Sequence, residues 1–154
     1  MDKLLKSLLH EVYASRSEKD DPLQGFKFRI SIPGLPDSCG FSKISGLTME
    51  IGVTEYDEGG YDVTHKLQGK AKGGELTCEK GAFPSTQVEQ VFRKALSSKE
   101  RSTIVVNLLD SRGKVQRTWK FAECWCSKWE LGDLDASSED VLMETLTLQY
   151  EYML

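Results

Sequence analysis

The sequence lacks most of what would mark an enzyme or a membrane protein. Only two of its 154 residues are histidine, His10 and His65. No cysteine stands at a spacing that would pair either with a thiol nucleophile. There is no G-x-S-x-G elbow and no Walker loop. Gly69 to Gly74 (GKAKGG) is basic and glycine-rich but without phosphate-loop spacing, and it reads as a turn. No apolar run approaches the ~20 residues of a membrane helix. The opening MDKLLKSLLHEVY is broken by Lys6, His10 and Glu11, unlike the core of a signal peptide. These absences lead to the expectation of a chain made and folded in the cytoplasm, with no membrane anchoring. An excess of positive charge is missing too. The net charge is -4, whereas a free duplex-binding protein presents a basic face. A surface that meets nucleic acid without binding it stays compatible with this charge.

Metal-binding patterns are equally thin. The four cysteines, Cys39, Cys78, Cys124 and Cys126, fit reduced and mostly buried thiols. Cys124-Trp125-Cys126 has one residue between its thiols and no second pair, where zinc sites use two pairs at wider spacing. Residues two apart on a strand share a face, so both read as core. Asp133, Asp135, Glu139 and Asp140 fall short of a calcium loop because Ser137 holds the fifth position. Trp119, Trp125 and Trp129 read as strand aromatics that fill a core. No catalytic residue, cofactor or metal is expected.

What is present is periodic patterning. Residues 2–14 place Leu4, Leu5, Leu8, Leu9, Val12 and Tyr13 at helical spacing. A polar linker from Ser15 to Asp21 comes next, so the chain divides into a helix and linker over 1–20 and a single domain over 21–154. The helix either covers one end of the core or docks on a neighbouring copy. From Gly25 the period becomes two, with Phe26, Phe28, Ile30 and Ile32 on one face. A second alternation puts Leu47, Met49, Ile51 and Val53 on one face and Thr48, Glu50 and Thr54 on the other, and a third turns Leu76 and Cys78 inward. A helix is expected at about 86–98, with a Thr86/Glu89 capping box and a stripe of Val88, Val91, Phe92, Ala95 and Leu96. Residues 103–109 read as a strand covered on both faces. Asp110 to Gly113 reads as a hairpin turn, and 115–129 as a long aromatic strand bulged near Ala122-Glu123. Leu131 to Asp140 is an acidic loop, and Leu142 to Met153 a closing strand. The sum is an α+β fold: an antiparallel barrel or sandwich of six or seven strands with one packed helix.

The segment from Glu55 to Gly74 stands apart. It carries Glu55, Asp57, Glu58 and Asp62, then Lys66, Lys70 and Lys72, and holds five glycines. Connections in compact domains run to about 4–6 residues, so an oversized loop is expected here, either floppy or reaching outside its own domain. Its acidic and basic halves suit complementary pairing between copies. The strands carry threonine-rich outer faces with few of the lysines or prolines that block edge pairing. Together with the missing catalytic residues, this points to self-assembly.

Several motifs then resemble the tube proteins of contractile phage tails and related injection machines. They are Asp21-Pro22-Leu23 with Phe26 and Phe28, Gly40-Phe41-Ser42 with Ser45-Gly46-Leu47, Glu55-Tyr56 with Glu58-Gly59-Gly60, and Lys66-Leu67 with Gly69. Lys80-Gly81, Lys128-Trp129, Asp133 to Ala136, Ser138-Glu139 and Glu144-Thr145-Leu146 with Leu148 come after them in order. The resemblance runs from about Asp21 to the end and leaves 1–20 aside. It implies hexameric rings stacked into a hollow tube inside a sheath, with sheets joined across subunits around a lumen. It also implies a long loop reaching into neighbouring subunits and partners in sheath, baseplate and tail-terminator proteins. DNA or effectors would pass through the lumen without specific binding. The particle would be a virion tail or injection device assembled in a bacterial cytoplasm.

The expected inter-subunit contacts are thus Glu55, Asp57, Glu58, Asp62, Lys66, Lys70 and Lys72. The polar strand faces offer Thr48, Glu50, Thr145, Thr147 and Gln149 to the lumen. Three other readings stay open: a small-ligand β-barrel with 55–74 as its lid, a tube-like baseplate adaptor, and an enzyme using Cys124 or Cys126.

Overall fold

The computed structural model describes Lys3, Leu4, Leu23, Gly25, 27–36 and 40–154. Apart from Lys3 and Leu4, which are helical, the expected N-terminal helix and linker lie outside the described residues, as do Phe26 and Cys39. The described elements are β1 (Phe28–Ser31), β2 (Lys43–Ser45), β3 (Glu50–Tyr56), β4 (His65–Lys72) and β5 (Gly74–Gly81). They continue with α1 (Gln87–Ser97), β6 (Ser102–Leu109), β7 (Val115–Leu131), β8 (Met143–Tyr150) and β9 (Tyr152–Met153). Seven strands form one sheet in the order β1-β6-β7-β8-β5-β2, with β9 on β7. The other two, β3 and β4, pair only with each other. The α+β class is as the periodicity implies, and β4 is a strand inside the segment expected as a loop. β1 and β2 end the path without pairing with each other, so the barrel is left open.

β7 organises the main sheet. Over its 17 residues it changes partner, pairing with β6 from Val115 to Cys124 and with β8 from Trp125 to Leu131. The change falls at Glu123, whose φ of 56° is left-handed, beside a register shift between Ser102 and Ile104. A left-handed residue inserted in a strand bends it and re-aims the residues beyond it. This is the bulge that the sequence places at Ala122-Glu123. Phe121 and Ala122 are both buried there, so the alternation slips by one and Cys124 again points inward.

The two halves of the sheet fold over one core. Ile30, Ile104, Val106 and Phe121 meet Leu76, Cys78, Leu146, Leu148 and Tyr150, with Val88 of α1 closing the side. The opposite face of β8 is polar, as period two requires. Two charged residues are drawn inward. Lys80 and Glu144 lie opposite each other in register, 6% and 7% exposed. The Trp129 indole N–H donates to Glu144 Oε1 at 2.7 Å, and the Lys80 ammonium sits 5.4 Å over the Phe83 ring.

Local expectations fare differently. The Asp110–Gly113 turn is as expected: Asp110 Oδ1 accepts the N–H groups of Arg112 and Lys114 at 2.9 and 2.8 Å. Those bonds, the Lys114 one first, hold its carboxyl below the usual carboxylate range. The capping box does not form. Thr86 is the N-cap without a side-chain cap bond; its hydroxyl accepts from Gln90 Nε2, and Glu89 pairs with Arg93. A side chain one turn ahead competes for each partner. The helical stripe buries only Val88, and Leu96 is 70% exposed. The strand at 103–109 is buried on one face and only half-buried on the other.

This packing predicts a sharp contrast between two large apolar residues. Phe121→Ala should cost about 3–5 kcal/mol of unfolding free energy, because its site is filled on all sides. Leu67→Ala on β4 should stay within about 0.5 kcal/mol. Urea titrations of the two variants followed by tryptophan fluorescence check both.

Candidate assembly surface

The segment expected as an oversized loop is mostly a β-hairpin standing off the sheet. β3 and β4 pair from Glu50↔Lys72 to Tyr56↔His65, with an irregularity opposite Gly52. The tip runs from Asp57 to Thr64. Every residue of β4 is exposed, and so is all of β3 except Gly52. Alternation in β3 therefore does not mark a buried face. Met49, Ile51 and Val53, expected to share one face of a strand, are 76%, 51% and 63% exposed. Period two assigns two faces to a strand but names neither as the inside. Here both legs leave the sheet before any core can cover them.

Register explains how so exposed a ribbon holds its shape. Glu50 meets Lys72 with a 3.4 Å ion pair, Glu55 stands opposite Lys66, and Glu58 meets His65 at 3.7 Å. Tyr61 stacks on His65 at 5.7 Å between ring centres. The acidic and basic halves of the segment are thus set against each other within one hairpin. Each such exposed pair contributes little, about 0–1 kcal/mol, but together they fix the register. Beside its exposed charges the hairpin offers outward six large apolar side chains, Ile51, Val53, Tyr56, Tyr61, Val63 and Leu67, each more than half exposed.

A second surface is the outer face of the half-sheet β2-β5-β8-β7. Thr145, Thr147 and Gln149 lie on it side by side, the first and last half-buried and Thr147 only 8% exposed. They stand opposite Glu79, Thr77 and Glu75 of β5 and opposite Glu130, Lys128 and Trp125 of β7. Gln149 Nε2 donates to Glu75 Oε2 at 2.8 Å, and Lys128 pairs with Glu130 at 3.0 Å. Thr48 and Glu50 are not part of this face. Thr48 is held at the phenol of Tyr150, and Glu50 opens the hairpin. The sequence offered five positions for one surface; the fold gathers three.

The remaining candidates are set by burial. The space between the half-sheets is filled, with Leu76, Cys78, Phe121 and Leu146 at 0% exposure. A groove of about 300 Å³ lies instead beside α1, between Val91, Ala95, Ile32, Ile104 and Cys126, with no hairpin residue in its wall. The hairpin is therefore no lid over it. Burial pushes the Cys78 thiol up to about 12, and the Cys124 and Cys126 thiols up to about 11 each. That is the opposite of activation for nucleophilic attack. His65 sits on the hairpin, paired with Glu58. Asp135 closes its own turn through Ser137, and among the described residues no cluster of three metal-ligating side chains occurs.

Comparison with known proteins adds a family. The family model for the T4-like virus tail tube protein gp19 matches residues 24–154. Among solved structures, the chain is similar to one in the sheath-tube complex of the PVC extracellular contractile injection system in its extended state. The two are 22% identical, with 91% of this chain and 97% of that chain covered and a TM-score of 0.78. It is similar to a chain of the anti-feeding prophage baseplate, with 27% identity, coverage of 88% and 95%, and a TM-score of 0.75. A third, in the PVC sheath/tube terminator, is 23% identical with a TM-score of 0.73, over 88% and 96% of the two chains. Among curated proteins none matches.

The buried thiols predict an alkaline limit to stability. Their folded pKa values lie above the ordinary 9.0, so the fold favours the neutral thiol. That contribution is complete below pH 9 and is lost as pH rises through about 11 to 12. Melting temperature should fall over this window, and replacing Cys126 with alanine should lessen the fall.

Proposed function

As the chain belongs to the tail tube protein family and is a structural tube subunit, we propose that its hairpin is the arm by which one copy holds the next. The observation that carries this reading is the hairpin itself. A ribbon exposed on both faces leaves six large apolar side chains in water, and a partner that covers them accounts for it. Its partner is another copy. Contact between unlike patches is heterologous, and it closes into rings or runs on into filaments. The apolar residues supply the contact, and the charges Glu55, Asp57, Glu58, Asp62, Lys66, Lys70 and Lys72 hold the arm in register and rim it.

The rings are hexameric and stack into the inner tube of a phage tail or contractile injection particle. The outer face of β2-β5-β8-β7, with Thr145, Thr147 and Gln149, lines the lumen. Its hydroxyls, amides and self-paired charges suit passage of DNA or protein effectors without specific binding. The open sheet ends at β1 and β2 support joining of sheets between copies, which removes their edges. The structures it resembles come from assemblies with a sheath, a baseplate and a terminator, and the corresponding proteins are its proposed neighbours. It assembles in the bacterial cytoplasm and performs no catalytic step. The match to a baseplate structure also favours a second reading, a baseplate adaptor of limited ring number.

Negative-stain microscopy and sedimentation test the reading. The native chain should form sixfold rings and tubes. The double variant Ile51→Asp, Val53→Asp should stay monomeric with unchanged circular dichroism. A chain that remains monomeric at high concentration even beside a baseplate initiator would refute a tube; rings that never stack would favour the adaptor.

A further inference from the structure

The hairpin touches the rest of the chain chiefly at its two roots, and one residue stands at both. The first root is 46–49, joining β2 to β3; the second is Gly73, joining β4 to β5. At the first, the Tyr150 hydroxyl donates to the Thr48 carbonyl at 2.7 Å, with the Gly46 carbonyl at 3.1 Å and the Thr48 hydroxyl at 3.2 Å also within reach. The Thr48 N–H points back at the same phenol oxygen at 3.4 Å. At the second root, the chain passes so close to the Tyr150 backbone that a Cβ on Gly73 would collide with the Tyr150 carbonyl oxygen. Gly46 is under the same constraint. Its φ is 93°, and a Cβ there would strike the Glu75 carbonyl oxygen.

Tyr150 is itself anchored in the core. It is 4% exposed, paired with Gly74 across β5, and packed on Phe121 at 4.7 Å between ring centres. Residues 46–49, by contrast, belong to no strand and make no ladder. Leu47 packs against the core, and the hydrogen bonds that tie Gly46 and Thr48 to the sheet all end on the phenol. From this geometry we infer that Tyr150 is the positioning residue of the hairpin: its hydroxyl sets the angle at which the arm leaves the sheet. Loss of that hydroxyl leaves the β3–β4 ladder intact but frees its base to pivot. An arm held in its bound direction beforehand loses less freedom on docking. If the freed arm spends about one-tenth of its time in the right direction, association weakens about tenfold.

The inference rests on the reading that the hairpin joins copies, and the experiment separates the two. Tyr150→Phe is compared with the native chain by hydrogen exchange at low concentration and by the critical concentration for assembly in sedimentation. Exchange should quicken at 46–50 and 73–75 while β6, β7 and β8 keep their protection, and the critical concentration should rise about tenfold. Thr48→Val, at an exposed position that does not endanger folding, should shift both readouts the same way by less. Leu148→Val weakens the same strand without touching the phenol; it should quicken exchange across the core and leave the critical concentration unchanged. Should Tyr150→Phe assemble like the native chain, or should Leu148→Val mimic its assembly defect, the positioning role is overturned. Should the Ile51→Asp, Val53→Asp chain assemble normally, the hairpin is no arm at all, whatever Tyr150→Phe does.

Discussion

The fold depends on one bend. β7 serves two half-sheets in succession, and it does so because Glu123 takes a left-handed conformation in mid-strand. Without that residue a strand of this length would carry its pairing straight on, and the inner faces of β6 and β8 would not meet over Phe121. The bend also reverses which residues face inward, which is how Phe121, Ala122 and Cys124 are all buried. The strain of a non-glycine residue in this region is about 1–3 kcal/mol. The filled core on either side offsets it.

Everything functional is arranged outside that core. Once the half-sheets close over their apolar faces, β8 presents threonine and glutamine on its far side, and the β3–β4 ribbon has no surface left to cover it. The chain thus leaves one polar wall and one apolar arm. In the proposed reading the wall is the surface that cargo passes and the arm the part that joins copies, and the fold keeps the two in different places. Tyr150 connects them physically, since it ends the strand that carries the wall and holds both roots of the arm.

Much of this was legible in the residues. The bulge near Glu123, the Asp110 turn, the central helix and the alternation of β5 and β8 follow from local chemistry that acts within a few residues. The family motifs from Asp21 onward depend on order and spacing, which sequence also preserves. Less legible was the segment 55–74. Its glycines and charges look like a loop, because pairs such as Glu50 with Lys72 lie 22 residues apart and become neighbours only when the legs align. The capping box at Thr86 failed for a related reason: Gln90 and Arg93 compete for the same side chains, and a motif of four residues does not see them.

Sequence alone therefore determined which residues alternate, where the chain turns, and to which family it belongs, since these rest on local conformational preference and on linear order. Only the tertiary structure decided which alternating faces are inside. Leu76 and Ile51 sit in equally good strand patterns, yet one is fully buried and the other is half exposed. The difference is made by partners distant in the chain. β5 lies between β2 and β8, whereas β3 has only β4 beside it and no core beneath it.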